Sequence, residues 1–307
     1  MKTKRNEEMK AIITGIIVAT IPIIVRIVDV VTATKRNVCW RVLLLLTLWG
    51  STLSLHAQCP AENKAFLPGE KVTYDLYFNW KFIWKRVGIA TLTTDSTMYQ
   101  NYPAYRFSLL STGSKRTDFF FKMRDTLTCY VSPRLEPLYF RKAAEEGSRY
   151  TVDEAWFSYQ DGLSQVKQKR TYRDGSVREM EYKDSRCIFD MLSILGQARS
   201  YTADNFQVGD KIHFPMATGK RVDEQTLIYR GKEEVKANDD KVYRCLVFSF
   251  VEYDDGKEEE VITFFVSDDD NHLPIRLDMY LRFGSAKAFL KRVQGNRYPL
   301  TCVVKEK

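Results

Sequence analysis

The sequence has few of the residues and motifs on which enzymes most often rely. Only three of its 307 residues are histidines, and only His213 and His272 lie beyond the first 57 residues. No spacing relates these two residues as metal ligands. Glycine-rich nucleotide motifs, paired-histidine metalloprotease motifs and the serine-hydrolase nucleophile motif are absent. We therefore expect no catalytic residue, cofactor or metal, and the sequence favours a non-enzymatic protein.

Positive charge is concentrated in one short part of the sequence. The formal net charge is +8, but residues 1–57 contain eight Lys and Arg residues against three acidic ones. Residues 58–307 carry 39 basic and 36 acidic residues, a net charge of only +3. An evenly basic surface, as nucleic-acid binders show, is therefore not expected.

Two apolar stretches at the start of the chain indicate a leader. The second, residues 42–55, follows basic residues and ends in Leu-His-Ala before Gln58, which is typical of a cleaved secretory signal. We predict a signal peptide at residues 35–57 and a single exported β-domain at residues 58–307, periplasmic or secreted. The protein would be membrane-bound only if the leader were retained. Because Gln58 precedes Cys59, where a lipoprotein signal needs a small residue, we do not expect a lipid anchor.

The first apolar stretch, residues 11–25, is interrupted by Pro22 and is shorter than the ~20 residues of a spanning helix. We therefore treat residues 1–34 as an N-terminal extension, and two explanations for its presence in the sequence remain open. Translation starts further downstream, near the second stretch, or the protein has an unusual extension.

Five cysteines remain beyond the leader, an odd number without metal-like spacing. They are Cys59, Cys129, Cys187, Cys245 and Cys302. They can all be buried as small apolar residues. Alternatively, an oxidising compartment would permit a bridge between Cys59 and Cys302, which would join the two ends of the mature chain.

Most of residues 58–307 show the two-residue period of β-strands. Apolar side chains occupy every second position of residues 72–80 and again of residues 275–283. Asp-Gly and similar turns separate such segments, as in antiparallel hairpins. We predict an all-β, mainly antiparallel fold. A sheet of this length must twist and curl, which predicts one strongly curved sheet, a half-barrel or β-roll.

One segment has helical spacing instead. Ile188, Met191, Leu192 and Leu195 follow the helical period, which predicts one helix over residues 186–199 covering the sheet. Asp190 and Ser193 would lie on one side of it. They can bind a polar group beneath the sheet or fix the helix to neighbouring backbone.

Aromatic residues are abundant, with 38 among residues 58–307. Three in a row, Phe119, Phe120 and Phe121, cannot all face one side of a strand, so at least one points away from a one-sided core. A sheet that surrounds a cavity for an apolar or sugar-like ligand would explain this run. Burial of both faces without a ligand would explain it equally.

The order of several short motifs resembles a known family. An opening Phe66-Leu67-Pro68-Gly69-Glu70 segment is followed by the Phe189–Ser193 region, Val208-Gly209-Asp210, Ser267-Asp268-Asp269 with Leu273-Pro274-Ile275-Arg276, and a closing Gly284-Ser285 hairpin. This order is similar to the bacterial "domain of unknown function 3108" family over about residues 60–300. The resemblance implies exported, mainly β envelope proteins without an established activity. More distantly, the strand, turn, proline, strand phrasing is similar to the half-barrels of periplasmic lipoprotein carriers, an analogy of fold alone.

These features predict an exported β-domain that binds an apolar or amphipathic ligand, or an envelope protein partner, in the concavity of a curved sheet. A lipid, an amphipathic molecule or a glycan are the ligand types considered. The expected contact residues are Trp80, Trp84, Phe119, Phe120, Phe121, Asp190 and Ser193. Two alternatives remain: a hydrolase of an envelope polymer that uses carboxylates such as Asp190, and a structural assembly module.

Overall fold

The computed structural model describes residues 59–80, 83–113, 123–146, 149–201, 206–281 and 284–306. The expected extension at residues 1–34, the signal peptide at residues 35–57 and the Phe119–Phe121 run lie outside the described residues. Trp80 is described by its backbone only.

Fifteen strands of the described chain form one sheet, so the prediction of a single, mainly antiparallel sheet is confirmed. The strands are β1 Lys71–Trp80, β2 Ile83–Tyr99, β3 Tyr102–Gly113, β4 Met123–Val131, β5 Pro137–Glu146, β6 Arg149–Gln160, β7 Leu163–Tyr172, β8 Val177–Asp184, β9 Lys211–Ala217, β10 Val222–Lys236, β11 Lys241–Asp254, β12 Lys257–Ser267, β13 Pro274–Leu281, β14 Gly284–Gln294 and β15 Val303–Glu306.

The sheet is a long meander folded back on itself. Neighbours run from β8 back to β1 at one side, and β1 then pairs with β14, from which the order continues to β9. The short β15 pairs with β11. Register shifts interrupt several of these pairings, for example within β1 and between β11 and β12. Such bulges bend strands, which gives one large curved sheet that is left open between β8 and β9.

Much of the main core lies on one face of the sheet, which we call the core face, although the core also includes Phe265, which faces the other side of β12. Phe107, Cys129, Phe140 and Ala155 are directly paired across β3 to β6 and are all buried there. Ile188 and Leu192 pack into the same cluster. The other side of the sheet is called the opposite face below.

The prediction of one helix near residues 186–199 is confirmed, but this helix, α1, is shorter than predicted and covers only Ser193–Ala198 among the described residues. Phe189 instead continues as extended backbone, because its N–H donates to Pro215 O at 3.0 Å and its own carbonyl accepts from the N–H of Ala217 at 2.8 Å. Asp190 then forms two reciprocal hydrogen bonds with Ser193: Asp190 Oδ1 accepts from the Ser193 N–H, and Ser193 Oγ accepts from the Asp190 N–H, each at 3.0 Å. The segment before Ser193 is therefore held by a strand partner and by a turn, and it does not join the helix.

A disulfide joins Cys59 to Cys187, with 4.8 Å between their Cα atoms. The expectation that all five cysteines are free is therefore wrong, and so is the alternative pairing of Cys59 with Cys302. Cys302 lies against β11, where its carbonyl accepts from the N–H of Arg244 at 2.8 Å. Cys129, Cys245 and Cys302 are free and buried, as expected for small apolar residues. The bond also occupies the Cys59 sulfur, so in this state that sulfur is not available for a lipid thioether.

Two buried ion pairs fix distant parts of the chain. Arg199, just after α1, donates to both carboxylate oxygens of Glu70 at 2.6 and 3.0 Å. Arg170 on β7 makes a bidentate contact with Asp153 on β6, and the turn at Gly219 packs directly on that carboxylate. The second pair therefore supports the place where the β9–β10 turn meets the other half of the sheet.

Candidate functional site

The core face becomes progressively more exposed toward one end of the sheet. On β1, Val72 is buried with 1% exposure, whereas Phe78 is half-buried. On β13, Ile275 is fully buried, Met279 is half-buried and Leu281 is 51% exposed. The two-residue apolar alternation thus continues beyond the point at which the core fills the face.

Strand register extends this half-buried surface across five neighbouring strands. One row pairs Phe78 with Ala286, Met279, Ile262 and Phe250 in turn, and the adjacent row pairs Leu76 with Ala288, Leu277, Phe264 and Phe248. Four strand spacings make each row about 19 Å wide. We call the half-buried members of these rows the apolar wall: Leu76, Phe78, Phe248, Phe250, Ile262, Phe264, Leu277 and Met279.

Core packing accounts for only part of the apolar wall. Leu76, Leu277 and Met279 touch the margin of the main core, and Phe250 touches a smaller cluster around the disulfide. Phe248 packs against the rings of Phe206 and Tyr229, with centroids 5.8 and 5.2 Å away. Phe78, Ile262 and Phe264 belong to neither cluster within the described part of the chain. A contiguous apolar surface of this kind on a protein usually marks a site that binds something.

A lysine ends one row of the apolar wall. Lys85 on β2 is paired with Phe78, which places the two side chains on the same face. Lys85 is exposed and makes no ion pair with another described residue. The neighbouring Arg86, by contrast, contacts Asp75 on the opposite face at 2.5 Å. Among the described residues, the wall therefore has an ammonium group without an acidic partner at its rim, next to the exposed Ile83.

The predicted contact residues fall in different places. Trp80 ends β1 at the open end of the wall, whereas Trp84 is 41% exposed and has the Lys287 ammonium 5.1 Å from its ring centroid. Lys287 also binds Asp278 at 2.9 Å, and this contact belongs to the opposite face. Trp84 therefore lies at the edge of the apolar wall, but its side chain is on the opposite face of the sheet. Sequence reasoning missed the wall itself, although the alternation that builds it was visible in β1 and β13.

Asp190 and Ser193 lie in the buried interior rather than at the exposed end of the sheet. Both are buried, and the Asp190 carboxylate accepts from the Leu192 N–H at 2.9 Å and from the Cys129 Sγ at 3.4 Å. Burial raises the pKa of Asp190 above its usual value, and burial also raises the pKa of the Cys129 thiol. The hydrogen-bonding groups of Asp190 serve the turn before α1, and its predicted contact with a ligand stays a prediction.

The two histidines have local partners. His213 Nδ1 lies 3.0 Å from Thr226 Oγ1, and His272 Nδ1 lies 2.7 Å from the carbonyl of Arg199. Among the residues that the structure describes, no three His, Cys, Asp or Glu side chains are grouped as a metal site would require. None of the described helices has the length and apolar character needed to cross a bilayer.

The described residues form one open, curved antiparallel sheet with an apolar wall at one end. The chain belongs to the family of proteins of unknown function DUF3108, whose model matches residues 73–291. This match confirms the resemblance inferred from the order of the motifs. No curated protein matches the chain.

Solved structures of low sequence identity are also similar. A β-barrel-like protein of the unknown-function domain DUF1849 from Brucella abortus is 11% identical, with 75% of this chain and 98% of that chain covered and a TM-score of 0.45. A protein from Bacteroides fragilis, described as exported and YmcC-like in fold, is 11% identical over 76% and 99% of the two chains, with a TM-score of 0.29. A protein from Parabacteroides distasonis described as a lipoprotein is 9% identical over 77% and 100%, with a TM-score of 0.27.

Proposed function

We propose that the protein is a non-enzymatic binding protein that holds an apolar or amphipathic ligand against the apolar wall. The observation that carries this proposal is the pair of half-buried apolar rows across five strands. Removing apolar surface from water is the main source of affinity at such a site. A ligand that buries ten methylene groups would gain about 8 kcal/mol before the costs of association.

Lys85 suggests an acidic head group on the ligand. Its ammonium lies at the end of the row that begins with Phe78, and it has no acidic partner among the described residues. A carboxylate or phosphate would pair with it while the apolar part of the ligand covers the wall. The proposed ligand class is therefore an anionic amphiphile such as a fatty acid or a phospholipid.

We also propose that the protein acts outside the cytoplasm, in the periplasm or the surrounding medium. A disulfide between residues 128 positions apart is favoured in an oxidising compartment. The signal-peptide pattern of residues 35–57 supports the same location.

The experiment is a titration of the full chain, purified without detergent, with a fluorescent fatty acid. Phe264→Ala should weaken binding about tenfold, since removing about 50 Å² of apolar contact costs about 1.3 kcal/mol. Tyr280→Ala is the matched control, because Tyr280 is 48% exposed on β13 and faces the other side. Equal affinity of Phe264→Ala and the unmodified protein would contradict the proposal.

A second titration tests the role of Lys85. Lys85→Ala should weaken binding of the fatty acid but leave binding of the corresponding fatty alcohol unchanged, because only the acid has a charge that pairs with Lys85. If binding of both ligands weakens equally, Lys85 does not pair with the head group.

No described feature favours the hydrolase alternative, since the carboxylate of Asp190 is buried and bound to local donors.

A further inference from the structure

The opposite face of the sheet carries a row of aromatic rings, remote in sequence from most of the apolar wall. Tyr130, Tyr139 and Trp156 are paired in turn across β4, β5 and β6, and Tyr99 of β2 joins them. The ring centroids of Tyr99 and Tyr130 are 5.1 Å apart, and those of Tyr139 and Trp156 are 5.6 Å apart. Tyr99 and Tyr139 stack with an interplanar angle of 16°.

A groove of about 420 Å³ lies at the end of this aromatic row. Its walls are mainly flat rings, from Tyr99, Tyr102, Trp156 and the prolines Pro103 and Pro133. Polar groups on its lining come from the Gln100 amide and from hydroxyls, and no charged side chain of the described residues lines it. Tyr102 is 73% exposed, so its ring is presented to solvent without a packing role.

A tight turn and a hydrogen-bonded tyrosine flank the groove. Gln100 and Asn101 both have positive φ, 49° and 68°, as the tight two-residue hairpin turn requires. This turn pairs Tyr99 with Tyr102. On the other side of the row, the Tyr139 hydroxyl donates to Glu154 Oε1 at 2.7 Å. A site whose rings are already ordered loses little conformational entropy when it binds.

We propose that this groove binds a neutral saccharide. A pyranose ring has apolar C–H faces that can cover aromatic rings and hydroxyl groups that can bond to the amide of Gln100 and to tyrosine hydroxyls. The uncharged lining matches an uncharged sugar, and it lacks the Lys and Arg residues that contacts with nucleic-acid phosphates need. This site does not depend on the proposed ligand of the apolar wall.

The experiment is calorimetric titration of the full chain with soluble neutral oligosaccharides: maltohexaose, cellohexaose, mannohexaose and chitohexaose. We expect one of these to bind, and Tyr102→Ala and Trp156→Ala each to weaken it about three- to tenfold. Tyr182→Ala is the control, because Tyr182 is 39% exposed on the edge strand β8 and does not line the groove. Circular dichroism of each variant checks that it is folded.

Three results would overturn the proposal. The first is the absence of heat of binding with all four oligosaccharides at millimolar concentration. The second is binding that Tyr102→Ala leaves unchanged, since this exposed residue can be replaced without loss of fold. The third is competition between the oligosaccharide and the fluorescent fatty acid, which would assign both ligands to a single site. Failure of fatty-acid binding alone would leave the saccharide proposal standing.

Discussion

Removal of the Cys59–Cys187 disulfide should strongly destabilise the protein. The two residues are 128 positions apart, so the bond closes a loop that contains strands β1 to β8. For a loop of this length, the chain-entropy relation gives about 5 kcal/mol of stabilisation through the unfolded state. That is a large fraction of the 5–15 kcal/mol by which domains are usually stable.

The assay is urea unfolding of the unmodified protein and of the Cys59→Ser/Cys187→Ser variant, followed by far-UV circular dichroism. With a slope of about 2.5 kcal/mol per molar urea, the midpoint should fall by about 2 M. Dithiothreitol should shift the unmodified protein toward the variant and leave the variant unchanged. Equal midpoints of the oxidised protein and the variant would refute this reasoning, as would peptides that link Cys59 to Cys302 in a non-reducing digest.

Three further predictions concern buried groups. Glu70→Gln should destabilise the protein by about 3–5 kcal/mol in urea unfolding, because it leaves the buried charge of Arg199 without its partner. The double variant Glu70→Leu/Arg199→Met should recover most of this loss, and an unaffected Glu70→Gln protein would contradict the prediction. Gly219→Ala should cost at least about 1 kcal/mol, since φ is +84° and a Cβ would collide with the Asp153 carboxylate; an unchanged melting temperature would refute it. Because burial raises the pKa of Asp190, its share of the free energy of unfolding is present below about pH 3.9 and is lost as pH rises through the raised value. Asp190→Asn should therefore show a weaker decline in stability between pH 4 and neutral pH than the unmodified protein, and identical pH profiles would contradict this.

The sheet could be predicted because its strands follow a simple local rule. Residues 72–80 and 275–283 alternate strictly, and the structure places β1 over the first segment and β13 over residues 275–281 of the second. The order in which strands pair could not be read from the same pattern. It depends on β1 joining β14 across more than 200 residues, and alternation specifies a face but not a partner.

The helix and the disulfide show where local patterns fail. Apolar residues at positions 188, 191, 192 and 195 satisfy the helical period, yet Phe189 is held as extended backbone by Pro215 and Ala217. A tertiary partner more than 25 residues away outweighs the local preference. Cys187 lies two residues before Phe189, so the same tertiary contacts position it against Cys59.

The apolar wall is a different set of residues from the contact residues predicted from the sequence, which stay a prediction. Aromatic excess directed attention to Trp84 and to the Phe119–Phe121 run. The apolar wall is instead formed by ordinary strand residues such as Phe264 and Leu277, whose exposure depends on where the core ends. The extent of the core is a property of the whole packed sheet, and no single segment reveals it.

The most direct test of the binding account is native mass spectrometry of the full protein, purified from cells without detergent, followed by organic extraction. The account predicts a stoichiometric adduct that extraction identifies as an apolar or amphipathic molecule, and it predicts loss of that adduct in Phe264→Asp but not in Tyr280→Asp. A bare protein mass that stays unchanged after incubation with an envelope lipid extract would contradict it.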